Sequence, residues 1–410
     1  MCPPPARVGN DGSSWCREEA VVGRRISAVA AGLLTLALAG CGANAPTVPS
    51  AVPQPSASES PTGSPSPGGA VQPAGTPSVI ASGLQSPWSI LRLDARLTAA
   101  DDNGTASTLI SERDTGVIKE LTASGTLRDA GTVAGVVHSG EGGLLGLEAW
   151  YEGDTTWIYA YYTSASDNRI VRMRLSGTPG HYALGGQEEI LTGLAKAFNH
   201  DGGRIKFGPD KLLYATVGDA ADGARAQDKT SLNGKILRMN PDGSVPEGNP
   251  FPGSLVYTLG HRNPQGLAWD SAGRLWASEF GQNTWDELNI ITPGQNYGWP
   301  IHEGIADADG YVDPVHQWTT AEASPSGLAI VNDTLFLAAL RGQRLWVIYP
   351  RSESVDAVSW FEGDYGRLRD AVPGPNGTLW VLTNNTDGRG TPGPGDDKLL
   401  QIRLVPLAEG

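Results

Sequence analysis

Six times the chain repeats one pattern: a short apolar strand, a Gly/Asp/Asn turn, and a second strand that ends in polar residues. The units open near Pro87, Gly143, Arg204, Gly266, Gly327 and Arg369, most of them about 60 residues apart. The clearest copies are GLAWDSAGRLWASEFG from Gly266 and AVPGPNGTLWVLTNN from Ala371. No long stretch carries the 3.6-residue period of a helix. A unit of short strands cannot bury its own apolar face, so six of them must stack on one another. The pattern predicts an all-β chain folded as a six-bladed β-propeller; a β-sandwich would not repeat at this length. In such a ring the innermost strands line a central channel. Polar residues at equivalent strand ends, far apart in sequence, then converge on one rim.

The repeat leaves out the N-terminal part of the chain. Arg24 and Arg25 precede an apolar run from Ile26 to Ala39, followed by Gly40 and Cys41. A run this short flanked by small residues reads as a secretory signal rather than a membrane span. Leu38-Ala39-Gly40-Cys41 has the form of a lipobox, so residues 1–41 are expected to be an export signal that leaves a lipidated Cys41. The twenty residues ahead of the basic pair do not suit a signal, and the true start is expected near Val21 or Val22. Residues 42–77 hold nine prolines and a single charge, Glu59; that composition predicts a disordered tether. Together these predict an exported protein, lipid-anchored on the outer face of the cytoplasmic membrane, its only membrane contact being the lipid at Cys41.

The propeller is then expected over residues 78–410, a span with no cysteine, so its core must hold without disulfides. Four basic and four acidic residues precede it, so it carries the whole net charge of −14. That balance argues against a nucleic-acid partner and is compatible with bound cations and neutral substrates.

The polar strand ends hold the candidate site. FNHDGGRIKFGPDKLLYATVGD, from Phe198, reads as a hairpin whose turn is Gly208-Pro209-Asp210. A hairpin brings its ends together, so His200 and Asp219 can meet although 19 residues apart. A carboxylate that fixes an imidazole's tautomer prepares a general base; a surface histidine beside a turn aspartate is the alternative. Glu141, Asn199, Arg262, Asn263, Arg341, Arg367 and Arg369 fall at the same rim. Convergent guanidinium groups suit a carboxylate- or phosphate-bearing ligand. The loop Gly281-Gln282-Asn283-Thr284-Trp285-Asp286-Glu287 is rich in oxygen donors and free of Cys and His, as Ca²⁺ prefers, though a solvated loop has the same composition. No P-loop, dinucleotide fingerprint, zinc motif or nucleophile elbow is present.

These segments resemble the soluble, pyrroloquinoline quinone-dependent sugar dehydrogenases, the glucose and aldose sugar dehydrogenases with their sorbosone dehydrogenase-like relatives. The resemblance rests on EGGLLGLE from Glu141, NHDGGRIKFGPD from Asn199, NGKILRMNPDGSVPEGNPF from Asn233, YTLGHRNPQGLAWD from Tyr257, SEFGQNTWDELNIITPGQNYGWP from Ser278 and GRLRD from Gly366. GHRNPQG and NYGWP together are its most specific part. It implies a six-bladed propeller with pyrroloquinoline quinone over a Ca²⁺ at the channel mouth. His200 then matches the general base and Asp219 the carboxylate that orients it. Arg262 and Asn263 match the pair that touches the quinone, and Arg367 and Arg369 those that hold its carboxylates. Asn199, Glu141 and Arg341 fall at further cofactor positions. The backbone carbonyls of Gly281 and Gln282 match the catalytic calcium site, with Asp286 and Glu287 beside it in a neighbouring or structural one.

Three departures stand out. Glu141 replaces a usual Gln and puts a negative charge beside an anionic cofactor, which weakens binding unless the carboxyl is paired or protonated. Gln282 replaces a common Pro but keeps the backbone oxygen. The aromatic residues that cap the sugar in glucose-specific members have no match in 311–326, which predicts an open rim. The implied reaction is hydride transfer from an aldose's anomeric carbon to the quinone, with His200 as base, Arg262 stabilising charge, a lactone as product and an external electron acceptor. The alternative is a non-catalytic surface propeller that binds a sugar or a protein, since fold does not imply function.

Overall fold

The computed structural model describes residues 69–93, 108–351 and 354–408. The export signal, Cys41 and most of the expected tether lie outside them. The described residues form six antiparallel four-stranded sheets, a six-bladed propeller. The inner strands are Pro87–Arg92, Leu144–Glu152, Ile205–Phe207, Pro264–Trp269, Pro325–Val331 and Leu368–Pro373. Each begins within three residues of a repeat start read from the sequence.

The last blade differs from the others. Its outermost strand is Val71–Ser82, which pairs antiparallel with Lys398–Pro406, from Val71 opposite Pro406 to Ser82 opposite Lys398. This N-terminal strand completes a blade begun by the C-terminal repeat and so closes the ring. The tether assigned up to Pro77 is therefore too long, because Val71–Pro77 belongs to the strand. An outermost strand tolerates proline where a central one does not. Pro77 sits within the register shift between Ala74 and Ser78.

The core consists of side chains clamped between adjacent sheets. Leu109 and Ile118 of the first blade pack with Leu144, Ile158 and Val171 of the second. Leu145, Tyr159 and Tyr161 pack with Leu213, Val217 and Leu237 of the third. Around the channel the blades approach so closely that three of the six inner strands carry glycine at an equivalent place. A Cβ on Gly146 would lie 2.3 Å from the Gly203 carbonyl, and one on Gly266 2.5 Å from that of Ser326. On Gly327 it would lie 2.1 Å from the Asp370 carboxylate. The channel itself is plugged. Arg204 lies 4.4 Å above the ring of Trp88 and pairs with Asp370 across it at 3.1 Å.

Candidate active site

The predicted hairpin forms as Ile205–Phe207 against Leu213–Val217, with Ile205 opposite Ala215. Its ends bring His200 and Asp219 together at the channel mouth, Nδ1 to Oδ1 at 2.7 Å. His200 adopts φ +64°, and Gly218 lets its carbonyl approach, since a Cβ there would lie 1.9 Å from that oxygen. Asp219 is buried and accepts two further hydrogen bonds, from Trp299 Nε1 at 2.8 Å and from the Ala221 N–H at 2.8 Å. An anionic Asp219 accepts the Nδ1 proton, which leaves Nε2 as the basic nitrogen. Asn199 Nδ2 lies 3.2 Å from Nε2 and is placed to donate to it. Asn199, His200, Asp219, Arg262, Gln282 and Trp299 line an open cleft of about 900 Å³.

A second cleft, of about 590 Å³, is lined in part by Trp88 and by Glu141, which is hydrogen-bonded to the His200 backbone. Four arginines line it: Arg341, Arg367, Arg369 and Arg389. Arg367 donates from Nη2 to Asp387 at 3.0 Å. Arg369 is buried, and its hydrogen bonds run to neutral groups, Asn384 Oδ1 at 3.0 Å and Gln265 Oε1 at 2.9 Å; Asp387 stands off at 4.0 Å. Burial pushes this guanidinium down to about 9. Arg341 makes no hydrogen bond or ion pair among the described residues and is exposed. A buried cation short of a counter-ion beside an unpaired exposed one is what an anionic ligand would complete.

Glu141 joins the two clefts. Its Oε2 accepts the His200 backbone N–H at 2.9 Å and Asn263 Nδ2 at 3.3 Å, while Oε1 pairs with Arg389 at 3.0 Å. Burial pushes its carboxyl up, but the His200 N–H and Arg389 more than offset this and hold it below the usual carboxylate range. The charge flagged in the sequence is therefore paired. Asn263 Oδ1 accepts the Gly202 N–H at 3.0 Å, which fixes the turn beyond His200.

Arg262 reaches from the first cleft to the loop after the fourth blade's second strand. Its Nη1 donates to the Gly281 carbonyl at 2.5 Å and to that of Phe280 at 3.3 Å, and its face lies 5.4 Å from the Trp299 ring. Its Nε is buried without a partner among the described residues. The loop's N–H groups converge on one carboxylate. Those of Gln282, Asn283, Thr284 and Trp285 all point at Glu303 Oε1, at 2.6 to 3.3 Å. The Gly281 carbonyl, which already accepts from the Arg262 cation, is a hard backbone oxygen of the kind that fits calcium. Gln282 lines the His200 cleft.

The loop ends in Asp286 and Glu287. Asp286 is buried and accepts from the N–H groups of Gly281 at 2.9 Å and Ser324 at 2.6 Å; burial pushes it up to about 6. Glu287 accepts the Gly304 N–H at 2.7 Å, and burial with Glu279 nearby pushes it up to about 8. Both carboxylates accept backbone N–H groups, and Glu287 Oε2 also accepts Asn289 Nδ2 at 3.1 Å. Among the described residues no group of three or more His, Cys, Asp or Glu side chains is arranged to hold a metal.

A model of the glucose/sorbosone dehydrogenase family matches residues 84–399. The chain belongs to that family. It is 46% identical, with a TM-score of 0.75, to the structure of the pyrroloquinoline quinone-bound aldose sugar dehydrogenase of Streptomyces coelicolor, covering 83% of this chain and 100% of that one. It is 34% identical over 237 residues to quinoprotein glucose dehydrogenase B of Acinetobacter calcoaceticus, 49% of each chain. It is likewise 34% identical over 220 residues to the aldose sugar dehydrogenase YliI of Escherichia coli, 46% of this chain and 58% of that one. The chain thus spans about half the length of these curated relatives.

Within this glucose/sorbosone dehydrogenase fold, three site residues were not picked out from the sequence. Arg389 lies in the long loop before the last strand, outside any repeat. Glu303 follows NYGWP by three residues, and only its four-amide contact marks it. Trp299 lies inside NYGWP, but its bond to Asp219 spans 80 residues. It also supplies an aromatic side chain to the open cleft, where 311–326 offered none.

Proposed function

We propose that the chain is a pyrroloquinoline quinone- and calcium-dependent dehydrogenase that oxidises aldose sugars at the anomeric carbon to lactones and passes the electrons to an external acceptor. One juxtaposition carries this reading: an oriented histidine base is joined through Glu141 to a cleft of four arginines, two of them lacking a close anionic partner. The quinone, when bound, supplies a two-electron hydride acceptor, and the calcium supplies Lewis acidity beside it.

The chain's own residues do the rest. Arg341, Arg367 and Arg369 would hold the quinone's carboxylates, and Asn263 and Asn199 would border it. The carbonyls of Gly281 and Gln282 would hold the calcium, with Arg262 giving up its contact to Gly281. His200 Nε2 takes the proton of the sugar's anomeric hydroxyl, with Asn199 moving aside to admit it. Asp219, held by Trp299 and Ala221, stabilises the imidazolium that results. Arg262, on the same cleft, is placed to stabilise negative charge as the C–H bond breaks.

The test is dye reduction by the purified chain with calcium, the quinone and a panel of aldoses, against quinone-free and EDTA-treated controls. Reduction that needs both additions supports the reading. No reduction, together with no binding of the quinone by calorimetry, overturns it. His200→Ala is expected to bind the quinone nearly as the parent does but to lose about 10²-fold or more in turnover; near-parental turnover would remove His200 from the role. An export signal ending at Cys41 would put this chemistry outside the cytoplasmic membrane. Radiolabelled palmitate incorporated by the parent and lost in Cys41→Ser would support the anchor.

A further inference from the structure

The strap over Asn384–Asp397, between the last two strands, contributes Arg389 to the lining of the arginine cleft. It is fastened from several sides. Asp397 accepts the N–H groups of Asn385 at 2.5 Å and Thr386 at 3.1 Å. Asp387 accepts from Arg367, and its carbonyl accepts Arg113 Nη2 at 3.3 Å. Asp387 Oδ1 also accepts the Arg389 N–H at 2.9 Å, which aims that side chain inward. Arg389 then meets Glu141, 248 residues away, at 3.0 Å. The Arg389 side chain is 44% exposed and that of Glu141 20% exposed, and both line the cleft.

Glu141 is the oddity in this cleft. Its carboxylate is needed on the base side, where it holds the His200 backbone N–H and Asn263. Yet it faces a cavity otherwise built for anions. An unpaired carboxylate there would repel a polycarboxylate ligand and cancel one of the cationic groups that attract it. Arg389 is the cation hydrogen-bonded to it.

Resting on the quinone reading above, we propose that Arg389 is a cofactor-affinity residue that acts through Glu141. It neutralises that carboxylate, so Glu141 can stay ionised to position the His200 turn without expelling the anionic quinone. The same bridge ties the strap to Glu141 in the cleft lining. Because the pair is part-exposed, salt should screen it.

The test is a double-mutant cycle on quinone affinity: titration calorimetry of pyrroloquinoline quinone into the cofactor-free full chain, in excess calcium, at low and high salt. Glu141→Gln keeps an acceptor oxygen for the His200 N–H and removes only the charge. Arg389→Gln is expected to bind the quinone about tenfold or more weakly at low salt, and less weakly relative to the parent at high salt. Glu141→Gln is expected to bind at least as tightly as the parent. The double variant is expected to recover most of what Arg389→Gln lost. Parental affinity in Arg389→Gln overturns the proposal. So does a double variant as weak as the single one, since Arg389 would then act independently of Glu141. Either result leaves the quinone reading intact, whereas a parent chain that does not bind the quinone removes both. Unchanged melting temperatures would show that the variants fold; if Arg389→Gln does not, Arg389→Lys, which keeps the charge, must retain affinity.

Discussion

Asp201, next to the base, carries a charge the fold has to bear. It is 2% exposed; its Oδ1 accepts Asn168 Nδ2 at 2.8 Å, and its Oδ2 is buried with no partner among the described residues. Burial pushes its carboxyl from an ordinary 3.8 up to about 6. The folded state therefore holds the proton more tightly than the unfolded chain does. Stability is favoured below the unfolded value and falls as pH rises through the window from about 4 to about 6. A shift of roughly two units corresponds to about 3 kcal/mol of stability lost by pH 7.5. Asp201→Asn removes the ionisation but keeps the acceptor for Asn168. Allowing for an amide left unpaired at the former Oδ2 site, the variant is expected to be about 1–2 kcal/mol more stable than the parent at pH 7.5. At pH 3.5, where the parent is already protonated, the gain should be lost and the unpaired amide should leave the variant about 1–2 kcal/mol less stable than the parent. Urea unfolding of both proteins at the two pH values measures this directly. A difference that is the same at both, or a variant less stable at pH 7.5, would refute the burial argument.

Two further predictions concern the scaffold around the base and the carbonyl loop. Gly218→Ala puts a methyl within 1.9 Å of the His200 carbonyl; it is expected to cost about 1–3 kcal/mol by thermal unfolding and to uncouple His200 from Asp219, visible as a shifted imidazole resonance. Glu303→Ala releases four amides at once, so hydrogen exchange over residues 282–285 is expected to speed up by about tenfold or more, while the amides of the adjacent strand Leu275–Glu279 keep their parental protection.

The sequence revealed those parts of the site that obey the repeat. His200, Asp219, Arg262, Arg367 and Arg369 lie at the ends of inner or neighbouring strands. Once six units close into a ring, such ends share a rim whatever their separation in the chain. Asp286 and Glu287 mark where composition alone is ambiguous, since an oxygen-rich loop reads alike whether its carboxylates face a cation or accept backbone N–H groups, as these do from Gly281, Ser324 and Gly304. Val71–Pro77 misled because an outermost strand draws its order from backbone pairing with Lys398–Pro406, which leaves no trace in its composition.

Arg389 marks the limit of reading by repeat. It stands in a loop with no counterpart in the other blades, and its place is set by Asp387 and by one contact 248 residues away. Neither constraint has a period or a motif. A charge out of place was nevertheless visible: Glu141 stood among arginines with no partner evident in the repeat. A buried or half-buried charge requires a partner. The odd carboxylate was thus the one signal that could have sent a search for a cation to the loops outside the repeat, where Arg389 lies.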